Sequence, residues 1–401
     1  MIYDVLITGA GPIGLMLANL LGNKNIKTLI IEKDQNLKNT TRAIGITPPS
    51  LYILKKLGLD EKFINKGVKV KKVIVHGTKN KLGEIKFDSL KSNYPFILSL
   101  TQNYTEEFLL DNLKKYSSVK LEMGKELKSF NIDNDVINLD ILDIKSNKII
   151  KHKAKYLAGC DGSKSTIRNL LNLKFKGGRY KDTFLMGDFI DNSGFENDAH
   201  LFFTKKGSIE SFPLPDGKRR WIIATKKFLE KPPKSYLEDE VLKRSGINIK
   251  SSKKISESPF GVQHYLCECY YNDKIIFSGD SAHVMSPIGG QGMNTGFADA
   301  DLSSSIIDIL INKKQNDGKY LLKKYEQYRK KAAKIATKRA WLSMRVGTVK
   351  GAVLSLLRNV FVYILIALLK EKIPPYFSML TIPYSTLDKV KKKEKLLFKT
   401  N

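Results

Sequence analysis

Cysteine is scarce in this chain: Cys160, Cys267 and Cys269 are the three in 401 residues. Three thiols cannot form a disulfide framework, and no His-rich partner sequence turns them into a zinc site. A reducing compartment, the cytoplasm, is expected, with no metal. Tryptophan occurs twice, at Trp221 and Trp341. No apolar run reaches the ~20 residues of a membrane span. No basic segment followed by an apolar stretch opens the chain, so no secretory signal is expected. There is no internal repeat. Hydrophobic residues make up 42% and charged residues 27%, which excludes a disordered or fibrous chain. The length suggests two or three domains at ~100–200 residues each.

Acidic residues are outnumbered, 40 against 69 Lys and Arg, for a net charge of +29. Such a balance suits nucleic acid or an anionic membrane. The lysines are scattered, however, and no mixed basic and aromatic RNA-binding signature appears. A compositional bias spread over a solvated surface is the expectation, with no nucleic-acid partner.

Residues 5–8 read as a strand, 9–14 as a glycine turn, 15–21 as a helix and 28–32 as a second strand. A helix is expected over 50–57, stopped by Gly58, and strands over about 70–100. Asn103 and Glu106 have the spacing of a capping box that opens a helix over 106–116. Short strands follow to 158. Ser163 is placed to cap a helix running to about 171. Residues 183–270 are mostly strand-like, with turns near 192–194 and 215–217 and a short helix over 237–245. A buried strand at 274–278 leads through a glycine-rich stretch to a helix over 296–311. The last 80 residues are helical, with Leu321, Tyr325, Tyr328, Ala332 and Ile335 on one face. The Lys-rich stretch 389–399 is expected to fray.

Gly9, Gly11 and Gly14 form G-x-G-x-x-G between a strand and a helix. The first glycine allows the tight turn, the second lets backbone approach a pyrophosphate, and the third lets helix pack on strand. Glu32 closes the next strand, where a carboxylate can accept from a ribose diol. This much does not separate FAD from NAD.

Residues 276–300 read IFSGDSAHVMSPIGGQGMNTGFADA. A strand delivers Gly279 and Asp280, where an acid can hold ribityl hydroxyls. The glycine-dense loop 289–292 lets a planar ring lie against bare backbone. N–H groups at the following helix start can stabilise negative charge on a reduced ring.

This segment resembles the second FAD motif of the flavin-dependent aromatic hydroxylases, the family of para-hydroxybenzoate hydroxylase and phenol hydroxylase. The stretch 156–168, with Asp161, Gly162, Ser163 and Arg168, resembles that family's middle motif. Thr41-Arg42-Ala43 and Gln102 match smaller features. The likeness covers about residues 3–345. It implies an α/β fold: a Rossmann-like FAD domain of the glutathione-reductase type, a mostly antiparallel sheet over the substrate, and a helical C-terminus. The expected divisions are 1–69, 101–180 and 271–318 for the FAD domain, 70–100 and 181–270 for the sheet, and 319–401 for the helical region.

The resemblance also implies a chemistry. FAD is the cofactor, and NADPH or NADH reduces it. Oxygen adds to the flavin C4a carbon, and the hydroperoxide hydroxylates a small aromatic ring, phenolic or polyketide- or quinone-like. The expected cofactor contacts are Gly9, Gly11, Pro12, Ile13, Gly14, Glu32, Lys33, Arg42, Gln102, Asp161, Gly162, Arg168, Gly279, Asp280 and Gly290. Pro287, Gly292, Met293 and Asn294 are expected beside the reacting flavin. His200, His264 and Tyr265 are candidates for taking a phenolic proton. His283 reads as support for the flavin loop. The chain is expected to act as a monomer or homodimer.

Two alternatives are kept. One is a flavin-dependent reductase. The other is a membrane-peripheral hydroxylase of a quinone or isoprenoid pathway, because the apolar stretch 360–369 has basic neighbours and could rest weakly on anionic lipid. A core-packed terminal helix is the competing reading of that stretch.

Overall fold

The computed structural model describes residues 1–36, 43–78, 80–312 and 318–383. Its first sheet is built on Ile2–Thr8, whose Val5, Leu6 and Ile7 are fully buried. Side chains buried on both faces are what a covered parallel strand requires. Thr28–Glu32 and Lys148–Gly159 pair with it in parallel on either side. Val119–Met123 and Ile275–Phe277 extend the two flanks, also in parallel. Helix α1 (Pro12–Gly22) is buried throughout from Gly14 onward, so it is a core helix rather than an amphipathic surface one. Helices α2 (Pro48–Lys55), α3 (Asp60–Lys66), α4 (Gln102–Leu113) and α5 (Thr166–Leu170) follow along the chain.

Two expected helix caps are corrected. Helix α4 begins at Gln102 with Thr101 as its cap residue, four positions before the expected Glu106. Asn103 lies inside the helix and its Oδ1 is buried without a partner, so the capping box does not form. At α5 the cap is Ser165 rather than Ser163: its side chain accepts from the Arg168 N–H at 3.1 Å.

The second sheet has eight strands and is largely antiparallel. Its long central members are Phe175–Ile190, Lys254–Cys267, Lys218–Thr225 and Gly207–Leu214. Alternation gives it two faces. Leu185, Ile209, Trp221 and Ile223 pack on Leu237 and Val241 of α6 (Tyr236–Ser245). Phe184, Ile222, Ala224, Phe260 and Val262 point the other way and meet Ile288 and Met344. Adjacent Arg219 and Arg220 are both buried, and each needs an acid on its own side: Arg219 pairs with Asp191 and Arg220 with Asp188, each at 2.7 Å. A small three-stranded sheet of Gly45–Ile46, Ile97–Ser99 and Val68–Val70 lies between, tied to the large one by Ser99 Oγ donating to the Pro213 carbonyl.

Helices α7 (Gln291–Asn312), α8 (Gly318–Thr348), α9 (Ala352–Leu368) and α10 (Ile373–Phe377) complete the described chain. Helix α7 starts five residues earlier than expected. Glycine disfavours helix, yet Gly296 is held because a Cβ there would lie 2.5 Å from Ile13. Leu321, Tyr325 and Ala332 of α8 are buried as expected, and Tyr328 and Ile335 are partly buried. The stretch 360–369 is packed on one side and open on the other: Val362 and Ile366 join a core cluster with Val75, Ile85 and Phe87, while Val360, Phe361, Tyr363, Ile364 and Leu368 are exposed.

Candidate functional site: a cleft between two sheets

The three glycines of the first turn have three different surroundings. Gly9 has φ +92°, and a Cβ on it would sit 2.5 Å from the Cys160 carbonyl oxygen. A Cβ on Gly14 would sit 1.9 Å from the Gly9 carbonyl oxygen. Around Gly11 nothing lies within 4 Å of that position. The outer two are therefore required by close backbone crossings, and the middle one faces open space. Helix α1 starts there with Pro12 and no side-chain cap, so its first N–H groups are left for a ligand. Ile13 packs against both Gly279 and Gly296, and so joins this turn to the third segment.

Glu32 ends its strand with both carboxylate oxygens on backbone: Ala10 N donates to Oε2 at 2.8 Å and Asp34 N to Oε1 at 3.0 Å. Each oxygen keeps a further lone pair for a ribose hydroxyl. Lys33 is exposed beside it. Arg42 lies outside the described residues. Gln102 donates to Glu106 Oε1 at 2.8 Å and accepts from Ala43 N at 3.4 Å. Burial raises the pKa of Glu106.

Asp161 Oδ2 accepts from Thr166 N at 2.8 Å, while its Oδ1 is buried without a partner. Burial raises its pKa. Gly162 follows at φ +79°. Arg168 is buried, stacks on Phe175, and donates to the carbonyls of Ser281 at 3.0 Å and Ser163 at 2.7 Å. Its guanidinium thus joins the middle segment to the third one.

In the third segment Asp299 is the anchor. Its Oδ2 accepts from Gly279 N at 3.0 Å and lies 2.6 Å from His283 Nε2, and its Oδ1 accepts from Arg329 Nε at 2.6 Å. Burial alone would raise the Asp299 pKa, but His283 and Arg329 overcome it and hold the carboxyl below its usual range. Asp280 is exposed at the strand end, as are Pro287 and Gly289 in the loop beyond. The Gly290 N–H closes a turn on the Pro287 carbonyl at 2.9 Å. Gly292 and Met293 fall in the first turn of α7, where N–H groups have no intrahelical acceptor. The Asn294 side chain is a brace. It accepts from Thr47 N and Ser50 Oγ and donates to the Gly45 and Gly290 carbonyls.

The expected proton acceptors separate. His200 lies on the α6 side of the large sheet, stacked on Phe195 with ring centroids 3.6 Å apart and with Nδ1 3.0 Å from His76 Nε2. Burial and nearby positive charge press its pKa down to about 3. It faces away from the cleft. His264 stacks on Tyr180, and Tyr265 on Phe175.

A residue that the sequence reading passed over is Glu210. It is buried, and burial raises its carboxyl to about 7. In register it stands opposite Ile222 and next to Ile209. It therefore shares the Ile222 face, the one that meets Ile288 of the glycine-rich loop. Its signal in the sequence is a single acid within the otherwise uncharged strand GSIESFPL.

The open space at Gly11, the orphaned Asp161 oxygen and the free N–H groups at the starts of α1 and α7 fit a long, anionic dinucleotide. The fold and site define a dinucleotide-binding flavoprotein of the glutathione-reductase type. The chain belongs to the family described as FAD binding domain, whose model matches residues 2–340, and FAD is its cofactor. Among curated relatives, it is 32% identical over 318 residues to the 6-methylpretetramide 4-monooxygenase of Streptomyces rimosus, covering 77% of this chain and 56% of that protein. It is 27% identical over 342 residues to an Escherichia coli 3-(3-hydroxy-phenyl)propionate/3-hydroxycinnamic acid hydroxylase, covering 82% of this chain and 60% of that one. The chain thus spans less than two thirds of these relatives' length. Among solved structures, p-nitrophenol 4-monooxygenase of Pseudomonas putida superposes with a TM-score of 0.85 at 18% identity, covering 96% of this chain and 99% of that one. Anhydrotetracycline hydroxylase of Streptomyces rimosus gives 0.79 at 23% identity, covering 96% of this chain and 78% of that one. These two likenesses show the shared fold.

Proposed function

We propose that the chain is an FAD-dependent monooxygenase that uses NADPH or NADH and O2 to hydroxylate a phenolic small molecule. The observation that carries this is the position of the loop from Pro287 to Gly292. It lies between the start of α7 and an apolar wall of Phe184, Ile222, Phe260 and Val262, with Ile288 seated on that wall. Bound FAD supplies the reductive activation of O2. The chain supplies an apolar wall and the backbone N–H groups at the start of α7. Gly292 and Met293 offer N–H groups where negative charge develops on the reduced ring, and Asn294 holds that turn to Gly45 and Thr47. Asp280 would hold the ribityl chain and Glu32 the adenosine ribose. Glu210 takes the phenolic proton: the substrate O–H bond breaks, its proton moves to a Glu210 carboxylate oxygen, and the ring gains electron density.

The names of its relatives support a phenolic substrate, since 3-(3-hydroxy-phenyl)propionate and p-nitrophenol both carry the group. Three cysteines without a disulfide among them suit a reducing compartment such as the cytoplasm. The test is NAD(P)H oxidation by the FAD-loaded protein against a panel of phenols and hydroxylated polyketides. Stimulation of oxidation by a phenol is expected. Oxidation indifferent to every aromatic added, with full FAD occupancy, would contradict the reading.

A further inference from the structure

Helix α9 is apolar on the face it turns away from the protein, and also along part of its inner face, where Val362 and Ile366 join Val75, Ile85 and Phe87. The stripe it turns toward the protein is Ser355, Arg358, Asn359, Val362 and Ile366. Its polar members are satisfied there. Arg358 donates to the Thr204 and Val349 carbonyls and to Asn359 Oδ1. Ile366 lies so close to Gly83 that a Cβ on that glycine would meet it at 2.7 Å. The outward face is apolar: Leu354, Leu356, Leu357 and Phe361 are 61%, 64%, 61% and 56% exposed, and Leu368 77%. Nine of the nineteen exposed large apolar side chains among the described residues fall on this helix. A soluble surface helix has the opposite polarity, so this face is made for a cover.

We propose that α9 lies flat in the surface of an anionic lipid bilayer, with its outward face in the acyl boundary and basic residues around it on the lipid headgroups. Three observations choose lipid. The surroundings are basic: Arg345 and Lys350 are exposed before the helix and Lys370 and Lys372 after it. Between Glu326 and Pro383 the sequence has one acid, Glu371. The sequence beyond continues the bias, with Lys389, Lys391, Lys392, Lys393, Lys395 and Lys399 against Asp388 and Glu394. Basic residues beside an apolar helical face are the pattern of an interfacial anchor. A groove of about 570 Å³ runs beside the helix, with Leu354, Leu357 and Phe361 along it and Arg345, Lys350 and Arg358 at its polar side. That arrangement suits an acyl chain under an anionic headgroup. A second copy would instead bring two such positive borders together, each on a chain of net charge +29.

The helix rests on the surface rather than crossing it. No helix among the described residues is long and apolar enough to span a membrane, and Arg358 and Asn359 are committed to the protein. The chain after α9 returns to the cofactor cleft. There Met379 Sδ lies 3.9 Å from Thr47 Oγ1, which itself contacts the Asn294 brace. The lipid face and the flavin cleft are thus joined by one short segment.

The test is flotation of the full, FAD-loaded chain with two kinds of vesicle: phosphatidylcholine alone, and phosphatidylcholine mixed with phosphatidylglycerol. Flotation with the mixed vesicles, weakened by salt, is expected. The double variant Leu357→Glu/Phe361→Glu should lower partitioning by about a hundredfold or more, because two exposed apolar anchors become charges. Both side chains face outward, so FAD content and melting temperature should hold. Lys350→Ala/Lys370→Ala/Lys372→Ala should reduce the preference for phosphatidylglycerol. Wild-type protein that floats with neither vesicle overturns the proposal, as does a double variant that floats like wild type. Equal flotation with both vesicles overturns the anionic-lipid assignment. A wild-type dimer that ignores lipid, and that Phe361→Glu makes monomeric, assigns the face to a second copy instead.

Discussion

Asp299 Oδ1 accepts from Arg329 Nε at 2.6 Å, with the carboxylate fully buried and the guanidinium nearly so. The pair clamps α8 onto α7, and the second Asp299 oxygen reaches Gly279 N and His283 at the flavin loop. One carboxylate therefore holds the strand end that presents Asp280.

Asp299→Ala leaves a buried Arg329 uncompensated. Breaking such a pair from one side costs about 3–5 kcal/mol. A large drop in melting temperature is expected, together with weakened FAD binding. Thermal melts with and without added FAD check this. A melt that matches wild type would show that the clamp carries little stability.

Gly11 and Gly14 should respond oppositely to the same methyl group. Gly14→Ala places a Cβ 1.9 Å from the Gly9 carbonyl oxygen, so the turn must open and the protein should fold poorly. Gly11 has φ −70°, which alanine adopts, and open space around it. Gly11→Ala should therefore fold with unchanged circular dichroism and lose FAD affinity, because the methyl occupies ligand space. Unchanged FAD affinity in a folded Gly11→Ala protein would remove the pyrophosphate from this turn.

Glu210 predicts two pH effects with one cause. Burial raises its carboxyl from 4.5 to about 7. The folded state holds the proton more tightly than the unfolded one. This stability is fully present below about pH 4.5 and is lost as pH rises through about 7. The loss is on the order of 3 kcal/mol. Glu210→Gln should therefore raise the melting temperature at pH 8 more than at pH 5. As the proton acceptor, Glu210 must be ionised, so kcat/KM for a phenol should rise with pH through about 7 in wild type. Glu210→Gln should flatten that limb and lower kcat/KM by roughly 10²–10⁴. A variant that keeps both the rate and the limb would assign the proton to another group.

The parts legible in the sequence are those where backbone leaves no choice. A side chain on Gly9 or Gly279 would collide with another segment, and one on Gly14 with the carbonyl of Gly9 in its own turn, and their spacing reports that crowding directly. The helix start at Gln102 was not legible, because Asn103 and Glu106 have the form of a capping box while tertiary packing begins the helix a turn earlier. Arg219, Arg220 and Arg329 belong to no motif in a chain of net charge +29. All three are buried, and their acids come from other segments of the chain. Glu210 was hidden for the same reason: which face of the sheet a strand residue joins depends on register with Ile222. Helix α9 is apolar on both its inner and its outer side, and an apolar helix in sequence carries no mark of which side the protein covers.

Oxygen labelling tests the account most directly. The FAD-loaded protein, NADPH or NADH, and a phenol that stimulates reductant oxidation are incubated under labelled O2, and in parallel with labelled water. The account predicts one labelled oxygen atom in the product from O2 and none from water. Label entering from water, or aromatic turnover that proceeds without oxygen, would contradict a monooxygenase and favour a flavin-dependent reductase.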